Sequence, residues 1–294
     1  MATTTTGHEI YAAQAIKGLT RQLAALKAFS IDFSADAARK GESVNVGLVT
    51  ADAVGEFNST SNNFKRSAQE VKQVSLKFGT PLITGFCVTP DQLNNFNPSW
   101  WADKANLNVL EVCDSVLAAV AAKVTGANYG DTAKDKMTVG LAGFNKSVVA
   151  AIRAKAIKDK KLRIPLSVLA LDPIYFSELL GSLDANVYGG KEAIQGGVIP
   201  GLFGFRMVIE VPQLGIPGFV CSPDAIAIAA RSYQPASKKP YENVQLITEP
   251  ETGLTLTHVE YCSGDDGELS DSVNALVQSG VGNSAALMRL VEAA

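Results

Sequence analysis

The sequence predicts an α+β fold, and three observations carry that expectation. Strand-like and helix-like segments do not follow a βαβα order, which disfavours a doubly wound dinucleotide fold. One helical pattern, over residues 97–126, is far longer than the others. Several other runs alternate apolar and polar residues, as half-buried strands do. The 294 residues fit one large domain or two modest ones, and a composition 47% hydrophobic and 19% charged supports a sizeable core. No internal repeat is visible.

The elements follow in chain order. Residues 7–28 place Ile10, Ala13, Ile16, Leu19, Leu23 and Leu26 three or four apart, one face of an amphipathic helix. "SVNVGLVT" at 43–50 alternates as a strand, and alternation returns at Val71, Val74, Leu76 and Phe78. The polar stretch between them has no periodicity. Together they predict an extended hairpin with a long tip, and a structureless loop of that length is better explained by packing on another molecule.

For the helix at 97–126, Asn97 suits the N-cap, Pro98 the first turn and Gly126 the C-cap. Trp101, Ala105, Leu107, Leu110, Cys113, Leu117, Val120 and Val124 recur at helical spacing. At 1.5 Å per residue its length is about 40 Å. A second helix is predicted over 144–158, then a strand at 166–171 stopped by Asp172-Pro173, and a short helix through Leu180. A strand follows at 205–211. "GFVCSPDAIAIAARS" reads as a strand that turns at Ser222-Pro223 into a helix over 224–231. Two alternating strands flank a Pro-Glu-Thr-Gly turn between 242 and 262. The tail beyond Leu269 reads as a short helix and a last strand near 285–291.

Chemistry-bearing motifs are weak. "GGVIPGLFGFRMVIE" at 196–210 has glycines suited to a phosphate cradle, but no lysine or hydroxyl follows Gly201 or Gly204 and the segment enters a strand. A cradle needs a helix N-terminus there, so the glycines read as a bend. The two histidines, His8 and His258, cannot form a zinc site at such spacing. "HEIYA" lacks a second histidine, "SGDDGELSD" departs from calcium-loop spacing, and no G-x-S-x-G is present. Cys87, Cys113, Cys221 and Cys262 form no C-x-x-C pair and read as buried small hydrophobes. Neither a cofactor, a metal nor a catalytic constellation is expected, so the protein is not read as an enzyme. No apolar run reaches the roughly 18 residues that span a bilayer, and the N-terminus lacks signal-peptide features, so cytoplasmic folding is expected.

The net charge of −3 is unevenly spread. Residues 146–163 carry seven basic groups against Asp159, whereas from Tyr241 onward nine acids face the single base Arg289. A basic segment can bind nucleic acid or form a solvated face, and opposite patches on one chain can meet between copies of it.

The order of these motifs resembles the tailed-phage major capsid proteins of the HK97-like fold. "FNSTSNNFKRSAQEVKQVSLKFGTPLITGFCVTPDQL", the long helix, "RIPLSVLALDPIYFSELL" and "GGKEAIQGGVIPGLFGFRMVIEVPQLGIPGFVCSPDAIAIAARS" recur in that order, before "YENVQLITEPETGLTLTHVEY". The resemblance covers nearly the whole chain. It implies an N-terminal arm at 1–40 and an extended loop at 41–80. A peripheral domain would comprise 81–129 and 239–294, with its spine helix at 97–126, and an axial domain 130–238. It implies contacts between subunits at Ile10, Leu19, Leu23 and Leu26 of the arm and at Phe57, Phe64, Lys65 and Arg66 of the loop. The implied function is self-assembly, as hexamers and pentamers, into an icosahedral head enclosing double-stranded DNA without sequence-specific binding, in a virion made in a bacterial cytoplasm. A separate scaffolding protein, a portal and decoration proteins are the expected partners, and no membrane. Lys65, Asn62 and Asn63 are candidates for a covalent cross-link, but no buried carboxylate for that reaction is identified. An encapsulin-type nanocompartment shell shares the fold and is the alternative, followed by a soluble α+β enzyme.

Overall fold

A computed structural model of the chain describes residues 23–48, 72–89, 91–92, 98–183, 198–233, 243–249, 252–262 and 268–293. Two six-stranded sheets share one hydrophobic core, and a separate two-stranded ribbon packs on the first sheet.

The first sheet has the order β1 (Ser30–Ala38), β10 (Ile226–Tyr233), β13 (Leu269–Val281), β12 (Thr255–Cys262), β11 (Asn243–Thr248), and β4 (Leu82–Val88) also pairs with β13. β1 runs parallel to β10, and the other pairings are antiparallel. The second sheet has the order β5 (Lys136–Val139), β14 (Leu287–Glu292), β9 (Gly218–Cys221), β6 (Val168–Leu171), β8 (Met207–Glu210), β7 (Val198–Pro200). β2 (Ser43–Gly47) and β3 (Gln73–Lys77) pair antiparallel and form the ribbon, with Val44 opposite Leu76 and Val46 opposite Val74.

The long helix α1 spans Pro98–Ala121, so it is about 36 Å long and shorter than the sequence suggested. Lys123 and Val124 donate to carbonyls three residues back, which tightens the end of the helix. Gly126 is no C-cap: it opens a single helical turn, Gly126–Tyr129, capped by the Thr125 side chain. Val109, Val112 and Val116 form the buried stripe with Ala105, Cys113 and Leu117. Leu107 is exposed, because two residues from Ala105 is about 200° around a helix. Asn97 and the Trp101 side chain lie outside the described residues.

Helix α2 (Lys146–Lys160) begins where the Asn145 Oδ1 accepts from the Ser147 and Val148 amides, two residues later than the periodicity alone suggested. Helix α3 (Pro173–Ser182) follows Asp172, whose carboxylate accepts from the Ile174 amide. Both pack on the second sheet: Val149, Ile152 and Ala156 of α2 and Phe176 and Leu179 of α3 meet Leu169, Val208, Val220 and Leu290. The opposite face of that sheet, through Val168, Ala170 and Phe219, joins the core under α1. Its central strands are therefore buried on both faces, which is why β6 reads as the unbroken apolar run VLAL.

Four expectations are corrected. The segment after Ser222-Pro223 is not a helix: a short 3₁₀ turn at Pro223–Ala225 leads into β10. Its Ala content suits a helix, but its period is two: Ile226 and Ile228 enter the core under α1, while Ala227 and Ala229 face the ribbon. The tail holds a 13-residue strand, β13, before its 3₁₀ turn and final strand. The amphipathic helix placed at 7–28 survives in the described residues only as the 3₁₀ helix Leu23–Ala28, and residues 30–38 of the expected arm are β1. The division at 130–238 also fails for two strands. β10 belongs to the first sheet, and β14, assigned with 239–294, pairs with β5 and β9 in the second. Such pairings join residues far apart in sequence, so local pattern does not reveal them.

The glycine-rich bend conforms to expectation. Gly201 and Gly204 have φ of 70° and 78°, and with Phe203 at φ 50° they turn the chain from β7 into β8. No phosphate-binding helix end follows.

Candidate assembly surfaces

The ribbon is held by one face. Val46, Leu76 and Phe78 are buried against Ala227, Ala229 and Leu276. A side chain at Gly280 would collide with the Leu76 methyl and touch the Val74 Cγ1 at 3.4 Å, so β13 admits the ribbon through a glycine. Phe57, Phe64, Lys65 and Arg66, predicted on the hairpin tip, lie outside the described residues, as do Ile10, Leu19 and the Leu23 side chain. Leu26 is described, and it is 1% exposed in the subunit's own core. It is therefore spent inside the chain and is not an intersubunit contact.

A second surface follows from strand register. Leu246, Thr257, Asn274 and Ile83 stand opposite one another across β11, β12, β13 and β4. The middle pair is buried, but Leu246 and Ile83 at the two ends are exposed, with Val244 beside Leu246. The other face of the sheet lies under α1: Thr84 hydrogen-bonds Asn108, and the Phe86 ring meets Trp100 edge-on at 5.2 Å. Sequence alternation could have found this apolar face, but it does not tell which face the helix covers.

Charges of the basic segment are partly used within the chain. Lys160 binds Asp135 at 2.6 Å and Lys155 binds Asp159 at 2.9 Å. The hydrogen bond from Lys160, with help from Thr132, holds the Asp135 pKa at about 2. Asp131, bound by Lys136 and Arg289, is also held below the ordinary carboxylate range.

The buried titratable groups do not assemble a reaction centre. His258 Nε2 and Asp271 Oδ2 are 2.8 Å apart and wholly inside the first sheet's core side. Burial, with the charge of Asp114, pushes the Cys113 thiol up to about 12, and burial and Asp224 raise Cys221 further, so neither supplies a thiolate. Cys87 is exposed, contrary to expectation, because it lies on the open face of edge strand β4; the Cys262 side chain lies outside the described residues. Among the described residues, no three His, Cys, Asp or Glu side chains gather to hold a metal, and no helix is long and apolar enough to cross a membrane.

No protein-family model and no curated protein matches the sequence. Solved structures do match. The virus-like particle from Pyrococcus furiosus is similar at 14% identity and a TM-score of 0.54, over 96% of this chain and 98% of that chain. The capsid of Cyanophage P-SCSP1u is similar at 9% identity and a TM-score of 0.49, over 90% and 86% of the two chains. The mature capsid of bacteriophage PhiM1 is similar at 10% identity and a TM-score of 0.49, over 90% and 85%. The first likeness runs through nearly all of both chains, and it shows that the chain has an α+β fold of the HK97-like type.

Proposed function

We propose that this chain is the major capsid protein of a tailed bacteriophage, and that its copies close into an icosahedral head around double-stranded DNA. The observation that carries the reading is the fold shared, end to end, with the protein of a virus-like particle. The order of sequence motifs supports a phage head in particular. The exposed Ile83 at one edge of the row across β4, β13, β12 and β11, and Val244 and Leu246 at the other, support surfaces that other copies cover. On this reading the protein acts through its interfaces and not by catalysis. Each contact can be weak, because one subunit makes several and a closed shell leaves no free edge. The arm, through Ile10, Leu19 and Leu23, and the hairpin tip, through Phe57, Phe64, Lys65 and Arg66, reach neighbouring subunits. On this reading the ribbon base anchors the extended loop, α1 serves as the spine, and the second sheet forms the axial domain. A scaffolding protein, a portal and decoration proteins complete the virion, which is made in the bacterial cytoplasm.

Electron microscopy and light scattering of the purified protein test this directly. Closed particles of megadalton mass are expected; a monomer-to-tetramer species overturns the reading and favours a soluble enzyme. Leu19→Asp with Leu23→Asp should leave a folded subunit that no longer closes into shells. Normal particles from that variant would remove the arm from the assembly. The alternative reading is a nanocompartment whose shell shares this fold and holds protein. Nucleic acid inside particles recovered from infected or induced cells supports the head, and enzyme cargo supports the compartment.

A further inference from the structure

Two surface features of the second sheet's layer match each other and cannot meet within one chain. The first is a cleft of about 270 Å³ at the start of α3, lined by Leu141, Asp172, Ile174, Tyr175, Ile216 and Glu292 among others. Tyr175 is 6% exposed, and its hydroxyl has no hydrogen-bond partner. Burial, then the charges of Glu292 and Asp172, raises its pKa. Glu210 is raised as well, by burial and by Asp172. Two carboxylates, Asp172 and Glu292, thus line the cleft, with Glu210 near enough to Asp172 to feel its charge, and none of the three is paired with a cation among the described residues. Ile174, beside them, is 60% exposed.

The second feature is the C-terminal end of α2 and the turn after it. Ile157 and Leu166 are 44% and 54% exposed there. Around them stand Arg153, Lys158, Lys161 and Arg163, all exposed and none in an ion pair among the described residues. Leu141 precedes the N-terminus of α2, and Ile157 lies near its C-terminus, so the two features sit about a helix length, roughly 22 Å, apart.

An apolar cleft rimmed by unneutralised carboxylates therefore faces one way, and an apolar knob rimmed by unneutralised cations another. Resting on the shell reading above, we propose that the knob of one copy docks in the cleft of the next, head to tail. A lysine or arginine of the neighbour supplies the cation that Asp172, Glu210 and Glu292 lack. Its N–H groups give the Tyr175 oxygen a donor, and its aliphatic stem lies on Ile174. Such a contact uses different patches on the two partners, so repetition gives a ring where the rotation closes. It also relocates the acidic partner of the basic segment: among the described acids beyond residue 241, Glu292 lines the cleft, joined by Asp172, with Glu210 close to Asp172.

The test reverses charge on each side. Lys158→Glu with Arg163→Glu, and separately Glu210→Lys with Glu292→Lys, should each lower the fraction of subunits in closed particles on the order of tenfold at low salt. Joining all four changes in one chain restores complementarity with the signs exchanged, and assembly should return to within about threefold of the wild type. Asp172 is left alone because it caps α3. Circular dichroism monitors folding, and where a reversed pair does not fold, Lys158→Gln with Arg163→Gln replaces it, with a smaller loss expected. Undiminished assembly of any folded pair overturns the docking, as does a folded four-change chain no better than its parents. A wild-type chain that forms no particles at all overturns the shell reading instead.

Discussion

Two hairpins of this molecule read alike in sequence and are held in opposite ways. The first, β2 with β3, is a five-pair ribbon that bonds to no other strand among the described residues. Its attachment is side-chain packing: Val46, Leu76 and Phe78 on the alanines of β10 and on Leu276 of β13. The second, β11 with β12, has six pairs, and β12 continues the ladder onto β13. Its turn is sealed by Glu249, whose carboxylate accepts from the Thr252 amide and hydroxyl at 2.6 Å each, and Gly253 supplies a positive φ. A hairpin packed by one apolar face can tilt without breaking backbone hydrogen bonds, whereas one built into a sheet cannot. On the proposed shell reading, that difference suits a loop that meets neighbours in more than one setting, carried by a body that does not deform.

The contrast can be broken from either side. Phe78→Ala, at a site 2% exposed, should have the largest effect, a loss of about 3–5 kcal/mol. Hydrogen exchange should then rise across 43–47 and 73–77 well before β11 and β12; uniform loss of protection would refute independent seating. Asp271→Ala removes the buried carboxylate bonded to His258 Nε2 and should cost about 3 kcal/mol in denaturant unfolding. Replacing both His258 and Asp271 by leucine should recover most of that loss, since a buried pair is often no better than apolar packing. If the double variant stays as weak as the single, the pair itself stabilises the sheet.

The smallest effect lies outside both hairpins and serves as their control. Asp135 has its pKa at about 2 against an ordinary 3.8, so its folded-state pKa is depressed. Its contribution is present above pH 4 and fades as pH falls from there towards 2. Lys160→Gln should remove that acid-side dependence and cost about 1 kcal/mol or less near neutral pH. Acid titration of stability in the two proteins checks it, and identical curves would refute the assignment.

Much of the local structure was legible from residue pattern. Alternation placed both hairpins, Asn145 and Asp172 stand as caps where two of the helices begin, and the glycines at 201 and 204 marked a bend and not a ligand site. The segment AIAIAA misled, because alanine suits a helix on its own and only the Ile/Ala period matches a strand with a thick core on one side and a ribbon on the other. The candidate surfaces were legible only in part. Basic residues 146–163 stand out in sequence, but the matching acids, Asp172, Glu210 and Glu292, come from three separate segments.

By itself the sequence determined the long helix, the two hairpins and where the chain must turn, since these depend on neighbours a few residues away. Only the tertiary structure decided that β10 and β14 exchange the sheets expected of them, that Leu26 is spent inside the subunit, and that the distant carboxylates Asp172 and Glu292 line one cleft. Those outcomes depend on which strands pair and which faces are covered, and such choices are made between residues far apart in the chain.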